Sequence, residues 1–242
     1  DYRKMQLDRM SNVEYYFESS LKVEEILSYD FHHIAVATGA MWRRDGVGVS
    51  RANAVRFDDP VELLTPDDVM SGVRPVGKHV VVFDDDHYYM GSVMAELLLN
   101  DGFTVTLVTP QTEVAAWTHK TLEQHRIQSR LINLGIEVVV AQTLEHVMSD
   151  GLVVGSIYNE QQQTIECDAA VLVTSRLPNE TLSLELLNRR NDWGDSMLSV
   201  RAVGDALNPG SIAAAVWDGR RFAENLDRSE ADDIFRRDVI VV

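Results

Sequence analysis

Apolar and polar positions alternate most sharply between residues 78 and 174. The stretch 78–99, KHVVVFDDDHYYMGSVMAELLL, sets a β-branched run, Val80 to Phe83, before a short loop; a helical pattern follows with Met94, Leu97 and Leu98 on one face. A nucleotide-binding β-α unit begins in this way. Residues 103–108 predict the next strand. Residues 117–134 predict a helix with Leu122, Ile127, Leu131 and Leu134 toward the core and Gly135 as its stop, and 136–141 predict another strand. Residues 152–157 and 163–166 read as a hairpin around Asn159 and Glu160, and 170–174 as a further buried strand. The result is a self-contained β-α-β-α-β unit with a hairpin.

The flanking segments look like halves of one other domain. Residues 2–10 read as the last turns of an amphipathic helix whose start is missing, so the chain is expected to be a fragment. Residues 12–17 predict a strand, 23–27 a helical or turn segment, and 31–37 a buried strand running into Thr38-Gly39-Ala40. Residues 41–75 form a polar connection with little periodicity. Within it, Thr65 as N-cap, Pro66 at the first helical position and Asp67 and Asp68 in the first turn predict a short helix. After residue 178 come a helix over 181–187, a strand over 199–203 ending in Gly204-Asp205, and a long helix over 211–226 capped by Ser211. The remainder, 228–242, is charged and then apolar and predicts no element. The expected class is α/β, with two Rossmann-like nucleotide-binding domains. The first is incomplete and split between 1–75 and 179–242, and the second, 76–178, is inserted within it.

Composition narrows the function. A chain of 242 residues that is 45% hydrophobic can bury a sizeable core. No apolar run reaches the length of a membrane span and no signal-peptide pattern opens the chain, so a cytoplasmic location is expected. The formal charge of −16 argues against nucleic acid or an anionic membrane as partner and suits a partner with a basic docking face. A single cysteine, Cys167, excludes an internal disulfide and any iron–sulfur or zinc site built from this chain's thiolates. The seven histidines show no H-E-x-x-H spacing, and no metal site is expected.

The loop after Phe83 lacks the chemistry its position calls for. A dinucleotide fold needs G-x-G-x-x-G there, whereas this chain has Asp84, Asp85, Asp86, His87, Tyr88, Tyr89 and Met90 before Gly91. Two unit charges at about 5 Å repel by roughly 3 kcal/mol at an effective dielectric near 20. That outweighs the contribution of about 1 kcal/mol from a helix N-terminus. The following strand ends in Thr109, Pro110 and Gln111, with neither a carboxylate for a ribose diol nor an arginine for a 2'-phosphate. A nicotinamide cofactor is therefore disfavoured. His87, Tyr88 and Tyr89 are expected to pack under the loop rather than to carry electrons.

Better nucleotide chemistry lies outside that unit. Thr38, Gly39 and Ala40 end a buried strand with small residues, which let a backbone pass close to a dinucleotide. Gly204-Asp205, a short loop, and then Ser211 and Ile212 opening an alanine-rich helix put one carboxylate and several amides together. The carboxylate suits a sugar hydroxyl, and the amides suit a phosphate. A solvated Gly-Asp turn is the plainer alternative for the second motif.

In order along the chain, FHHIAVATGA (31–40) with Trp42 and Asp45-Gly46, LTPDDVM (64–70), the Asp-His-Tyr-Tyr-Met loop, and Val203-Gly204-Asp205 before an alanine-rich helix resemble one family. They are similar to the C-terminal part of trimethylamine dehydrogenase and its relatives, which include histamine dehydrogenase, dimethylglycine-demethylating enzymes and, more distantly, 2,4-dienoyl-CoA reductase. The resemblance implies an FMN-bearing barrel and an iron–sulfur segment N-terminal to this chain, followed by two glutathione-reductase-type domains. Thr38, Gly39 and Ala40 would lie against the ADP portion of ADP or FAD. Gly204 and Asp205 would meet its ribose or ribityl side, and Ser211 and Ile212 would open the helix aimed at it. The loop favours the amine dehydrogenase branch, whose members pass electrons to an electron-transferring flavoprotein. Trp217 adds a weaker hint, since its bulk fills space that a flavin ring would need. No residue of this chain is expected to make or break bonds, and a homodimer is compatible with the resemblance. The alternatives are an NAD(P)H-dependent flavin oxidoreductase of the 2,4-dienoyl-CoA reductase type, or a non-catalytic docking module with a degenerate nucleotide fold.

Overall fold

A computed structural model describes residues 2–29 and 31–226. In chain order the elements are α1 (Tyr2–Leu7), α2 (Val23–Ser28), β1 (His33–Val36), β2 (Ala40–Trp42), β3 (Arg56–Phe57), β4 (Glu62–Leu64), α3 (Pro66–Met70) and β5 (His79–Asp84). They continue with α4 (Met90–Asn100), β6 (Thr104–Val108), α5 (Gln124–Asn133), β7 (Glu137–Val139), β8 (Gln142–Met148), β9 (Gly151–Ser156) and β10 (Gln162–Glu166). The last are β11 (Ala169–Val173), β12 (Arg176–Pro178), α6 (Thr181–Asn188), β13 (Ser199–Ala202) and α7 (Ile212–Glu224). These fall into two compact units, one of Gly39–Pro178 and one that combines Asp1–Thr38 with Asn179–Val242.

The larger unit is built on a five-stranded parallel sheet in the order β4-β11-β5-β6-β7. Side chains of β5 alternate between its faces. Val80 and Val82 join Met94, Ala95, Leu98, Val105, Leu107 and Leu131 under α4 and α5, while Val81 and Phe83 join Leu144, Val147, Leu152 and Val154 from the second sheet. That second sheet has the order β10-β9-β8-β3. Both faces of the parallel sheet are thus covered, which is why β5 reads as an unbroken apolar run rather than an alternating one. The apolar face expected for α4 is present: Met94 and Leu98 are fully buried, and Leu97 packs against the same core.

Three expectations need correction, and one strand, β8, was not anticipated: its two inward residues, Leu144 and Val147, are three apart, which a regular strand would send to opposite faces. A bulge between Leu144 and His146 resets the register and turns both inward. The single helix expected over 117–134 is two pieces, a 3-10 turn at Ala116–Thr121 and then α5. Leu122 between them has φ +62° and is 89% exposed, so it leaves the apolar stripe that its spacing suggested. Residues 12–17 form no strand, and Tyr16 and Phe17 are exposed there. The connection over 41–75 also contributes strands: β2 pairs antiparallel with β12, β3 runs parallel to β8, and β4 runs parallel to β11. Its short helix has the expected start, with the Thr65 amide and hydroxyl both donating to Asp68 Oδ2, at 2.7 and 2.9 Å.

In the smaller unit β1 pairs in parallel with β13, His33 opposite Ser199 and Val36 opposite Ala202. A core of Val23, Ile26, Val36, Leu186, Met197 and Val200 ties α2 and α6 to these strands. Residues 228–242, for which no element was expected, lie outside the described residues.

Candidate functional site

In the smaller unit the carboxyl ends of β1 and β13 lie side by side. The Val203 amide donates to Val36 O at 2.9 Å, which extends the pairing toward Thr38 on one strand and Gly204-Asp205 on the other. Thr38 Oγ1 donates to Asn179 O at 2.5 Å, fixing the strand exit. Gly204 has φ +61°, and this left-handed backbone calls for glycine; a Cβ there would stand 3.4 Å from the Ala215 side chain, in ordinary contact with α7. Its amide donates to Asp218 Oδ2 at 2.8 Å. Asp205 Oδ1 accepts from the Gly210 amide at 3.0 Å, closing the loop that leads into α7. Ser211 caps that helix as its position predicts, its Oγ accepting from the Ala214 amide at 3.2 Å.

What results is a crest with two carboxylates, Asp205 and Asp218, and the N-terminus of a thirteen-residue helix. The first-turn amides of Ile212 and Ala213 have no acceptor within the helix, and a helix start of this kind favours an anion. Ser211 and Ile212 are exposed, and Gly204 and Asp205 are half-buried. Thr38, Gly204, Asp205, Ser211 and Ile212 therefore belong to one unit, and the first three share one strand edge. Gly39, with φ +75°, and Ala40, the first residue of β2, belong to the larger unit. The part of the site that sequence reasoning missed is Asp218, which follows Gly204 by fourteen residues and orients it across α7. Trp217 is 47% exposed on the same helix.

In the larger unit the loop after β5 is folded inward. Asp84 is completely buried, and its Oδ1 accepts the amides of Asp86 at 3.2 Å and His87 at 3.1 Å. Burial pushes its carboxyl up to about 7, against the opposing influence of His87. Asp85 is also completely buried, and both its oxygens accept from the Ser50 amide, at 3.0 and 3.2 Å. Asp86 is half-buried; burial raises its carboxyl, and the charge of Arg176 works against that rise.

His87 is buried with φ +60°, and its Nε2 lies 3.2 Å from Asp85 Oδ1, within ion-pair distance. The approach is outside hydrogen-bonding direction, and both ring nitrogens are without a hydrogen bond among the described residues. The His87 carbonyl accepts from the Trp117 amide at 2.9 Å, so the turn at Ala116–Thr121 closes over the loop with Val114, Ala115 and Thr118 buried beneath. Tyr88 and Tyr89 lie with ring centres 4.2 Å apart, and the Tyr89 hydroxyl donates to Glu123. Two of the three aspartates thus face the interior. The repulsion anticipated between them and a pyrophosphate is replaced by a different arrangement, in which Asp84 occupies two of the loop's own amides and Asp85 the amide of Ser50.

Cys167 is buried and free, and its thiol is pushed up to about 12 by burial and the adjacent Asp168. It is a packing residue. Among the described residues no group of three or more His, Cys, Asp or Glu is placed to hold a metal ion, and no helix is long and apolar enough to cross a membrane.

Residues 64–177 match the family described as the OYE-like second alpha/beta domain. Over 95% of its length the chain is 29% identical to dimethylamine dehydrogenase of Hyphomicrobium sp. (strain x), covering 35% of that protein. Among solved structures, histamine dehydrogenase from Rhizobium sp. 4-9 is 40% identical over the whole chain with a TM-score of 0.93, the chain covering 38% of it. The 6-hydroxypseudooxynicotine amine oxidase of Pseudomonas geniculata N1 is 35% identical over 91% of the chain, which covers 33% of that protein, with a TM-score of 0.84. The chain therefore spans about a third of the length of these relatives. A 2-naphthoyl-CoA reductase, 18% identical with a TM-score of 0.68 over 90% of this chain and 30% of its own, shares the fold. The chain is thus homologous to the dimethylamine and histamine dehydrogenases, and related through them to the family of trimethylamine dehydrogenase and 2,4-dienoyl-CoA reductase.

Proposed function

We propose that this chain is the nucleotide-binding portion of an oxidoreductase that oxidises a small amine and passes the electrons to an electron-transferring flavoprotein. The split ADP- or FAD-binding domain expected over 1–75 and 179–242 is narrowed in this reading to the segments ending at Thr38 and resuming at Asn179, because 39–75 belong to the larger unit, and that unit is a nicotinamide-type domain inserted into it. The observation that carries the reading is the 40% identity to histamine dehydrogenase across the entire chain. The crest of the smaller unit agrees with it chemically. Asp205 stands beside the strand edge, and the first-turn amides of α7 have no acceptor within the helix.

In this reading Thr38 and Gly204 set the strand edge along which the nucleotide lies. Asp205 accepts a hydrogen bond from a sugar hydroxyl, and the amides that follow Ser211 receive a phosphate. The bound nucleotide, if FAD, supplies redox chemistry; the chain's own residues bind and orient it. An iron–sulfur cluster would be held by other parts of the protein, since the one thiol here is buried and cannot supply a cluster's set of thiolates, and the FMN is placed there by the family resemblance alone. The amine substrate class follows from the names of the relatives, and the flavoprotein partner from the family resemblance of the sequence motifs alone.

Calorimetric titration of the intact protein, stripped of loosely bound nucleotide, with ADP, FAD, NADH and NADPH tests the reading. Tight ADP or FAD binding without a response to either nicotinamide is the expected result. Micromolar NADH or NADPH binding with flavin reduction would instead assign the chain to the 2,4-dienoyl-CoA reductase type. Loss of all four responses would leave a docking module.

A further inference from the structure

In a β-α unit of this topology the pyrophosphate of a dinucleotide rests on amides of the turn between the first strand and the helix that follows. Here that turn joins β5, the central strand of the parallel sheet, to α4. Two of its amides, those of Asp86 and His87, point at Asp84 Oδ1. The same carboxyl group lies against Gly91 in the first turn of α4, where a Cβ would come within 2.3 Å of Asp84 Cγ. Gly91 is therefore glycine because a carboxylate fills the space beside it. Asp84 Oδ2 is fully buried and has no hydrogen bond among the described residues, so it too faces the helix start rather than solvent. Around this group the loop is sealed on two sides. Ser50 donates to Asp85, with Gly48 so close that a Cβ there would come within 2.1 Å of Asp85 Oδ2, and Trp117 donates to the His87 carbonyl from the other side.

We propose that the Asp84 carboxyl is an internal acceptor standing where a dinucleotide's pyrophosphate would otherwise bind, so that the larger unit is closed to nicotinamide dinucleotides by occupancy from within, and that residue 84 determines this. The inference deepens the proposed function, whose absence of nicotinamide chemistry it explains. It differs from charge repulsion in its consequences. A repelling surface charge weakens with salt, whereas an occupied set of amides stays occupied.

The test uses the intact protein saturated with ADP, so that the crest of the smaller unit is filled before the larger unit is probed. NADH binding is followed by its fluorescence in 50 mM and 500 mM salt, for the unaltered protein, Asp84→Gly and Asp84→Asn. Amide hydrogen exchange of the peptide spanning residues 84–90 is measured in parallel, with and without 5 mM inorganic pyrophosphate. In the unaltered protein NADH does not bind at either salt concentration, and pyrophosphate leaves the exchange unchanged. In Asp84→Gly that peptide exchanges at least tenfold faster, pyrophosphate slows it again, and NADH binds. Asp84→Asn keeps an acceptor oxygen, so its peptide stays protected and NADH stays excluded. NADH binding to the unaltered protein at 50 mM salt would refute the proposed function itself. Pyrophosphate protection of the unaltered loop, NADH binding to the unaltered protein that appears only at 500 mM salt, or unchanged exchange in a folded Asp84→Gly would overturn the Asp84 proposal alone. If Asp84→Gly does not fold, the pyrophosphate and salt measurements on the unaltered protein decide.

Discussion

Replacing Asp84 by asparagine should make the protein lose a specific part of its pH dependence. Burial raises the carboxyl from 3.8 to about 7 in the folded state. The folded protein therefore holds this proton more tightly than the unfolded chain does. Between pH 4 and 7 the native state binds more protons at residue 84 than the unfolded state, so stability falls as pH rises through that window. A difference of about 3 in pKa at 1.36 kcal/mol each gives a total of about 4 kcal/mol, all of it lost above pH 7 and none below pH 4. Between pH 5.5 and 8 the share is about 2 kcal/mol. Asparagine carries no titrating proton and removes this dependence while keeping the shape of the group.

The assay is urea unfolding of both proteins at pH 5.5 and at pH 8. Titrating groups remote from residue 84 change both proteins alike, any constant effect of the amide nitrogen drops out of the comparison between the two pH values, and Asp86 and His87, whose charges act on Asp84, are part of the response measured. With a slope of about 2 kcal/mol per molar urea, the midpoint of Asp84→Asn should rise relative to the unaltered protein by about 1 M on going from pH 5.5 to pH 8. A gap between the two midpoints that stays constant with pH would show that Asp84 ionises in the fold as it does in the unfolded chain. The reading of a carboxyl sealed in by the loop would then be wrong.

Four further outcomes follow from the same geometry. Ser211→Ala removes the side-chain acceptor for the Ala214 amide and should cost about 1 kcal/mol at the start of α7, read as a lower melting temperature that bound ADP partly restores. Gly204→Val forces a β-branched residue into φ +61° against Ala215; it should destabilise the smaller unit by about 1–3 kcal/mol and weaken ADP binding in calorimetry more than Ser211→Ala does. Leu131→Ala hollows the core beneath α5 and should cost about 2–5 kcal/mol in chemical unfolding. Cys167, buried and pushed up to about 12, should not react with a thiol reagent at pH 8 until the protein is denatured, when one equivalent reacts.

Where an element's pattern is a property of its own residues, it could be read in advance. β5 and β11 are apolar runs because both faces of their sheet are covered, and Thr65-Pro66 and Ser211 announce helix starts through chemistry confined to a few residues. Elements that depend on a partner were hidden. β8 is apolar at an odd spacing that only the bulge against β9 makes sense of. The two-residue β3 exists as a strand only through its pairing with β8. Leu122 looks like a core residue until the bonds of Tyr89 to Thr121 and Glu123 are seen to fix its neighbours around a left-handed turn. The crest residues Thr38, Gly204, Asp205 and Ser211 could be named from the sequence, but Asp218 could not, because nothing in its helical context signals a hydrogen bond fourteen residues back.

The β5–α4 loop shows why residue type and residue role come apart. Three successive aspartates between a strand and a helix suggest a charged surface, because carboxylates are seldom fully buried without partners. Two of them are nevertheless fully buried, each with backbone amides as partners: those of Asp86 and His87 for Asp84, and that of Ser50 for Asp85. A turn that binds phosphate must leave such amides unpaired until the ligand arrives, and it relies on glycine to do so. Putting a carboxylate on the chain itself satisfies the same donors without a ligand, at the cost of a raised pKa at Asp84 and an orphaned oxygen beneath α4. The same substitution therefore closes the site and completes the fold. A glycine introduced at position 84 should reopen the amides and weaken the unit together, and the two effects should appear in the same variant and be absent together in Asp84→Asn.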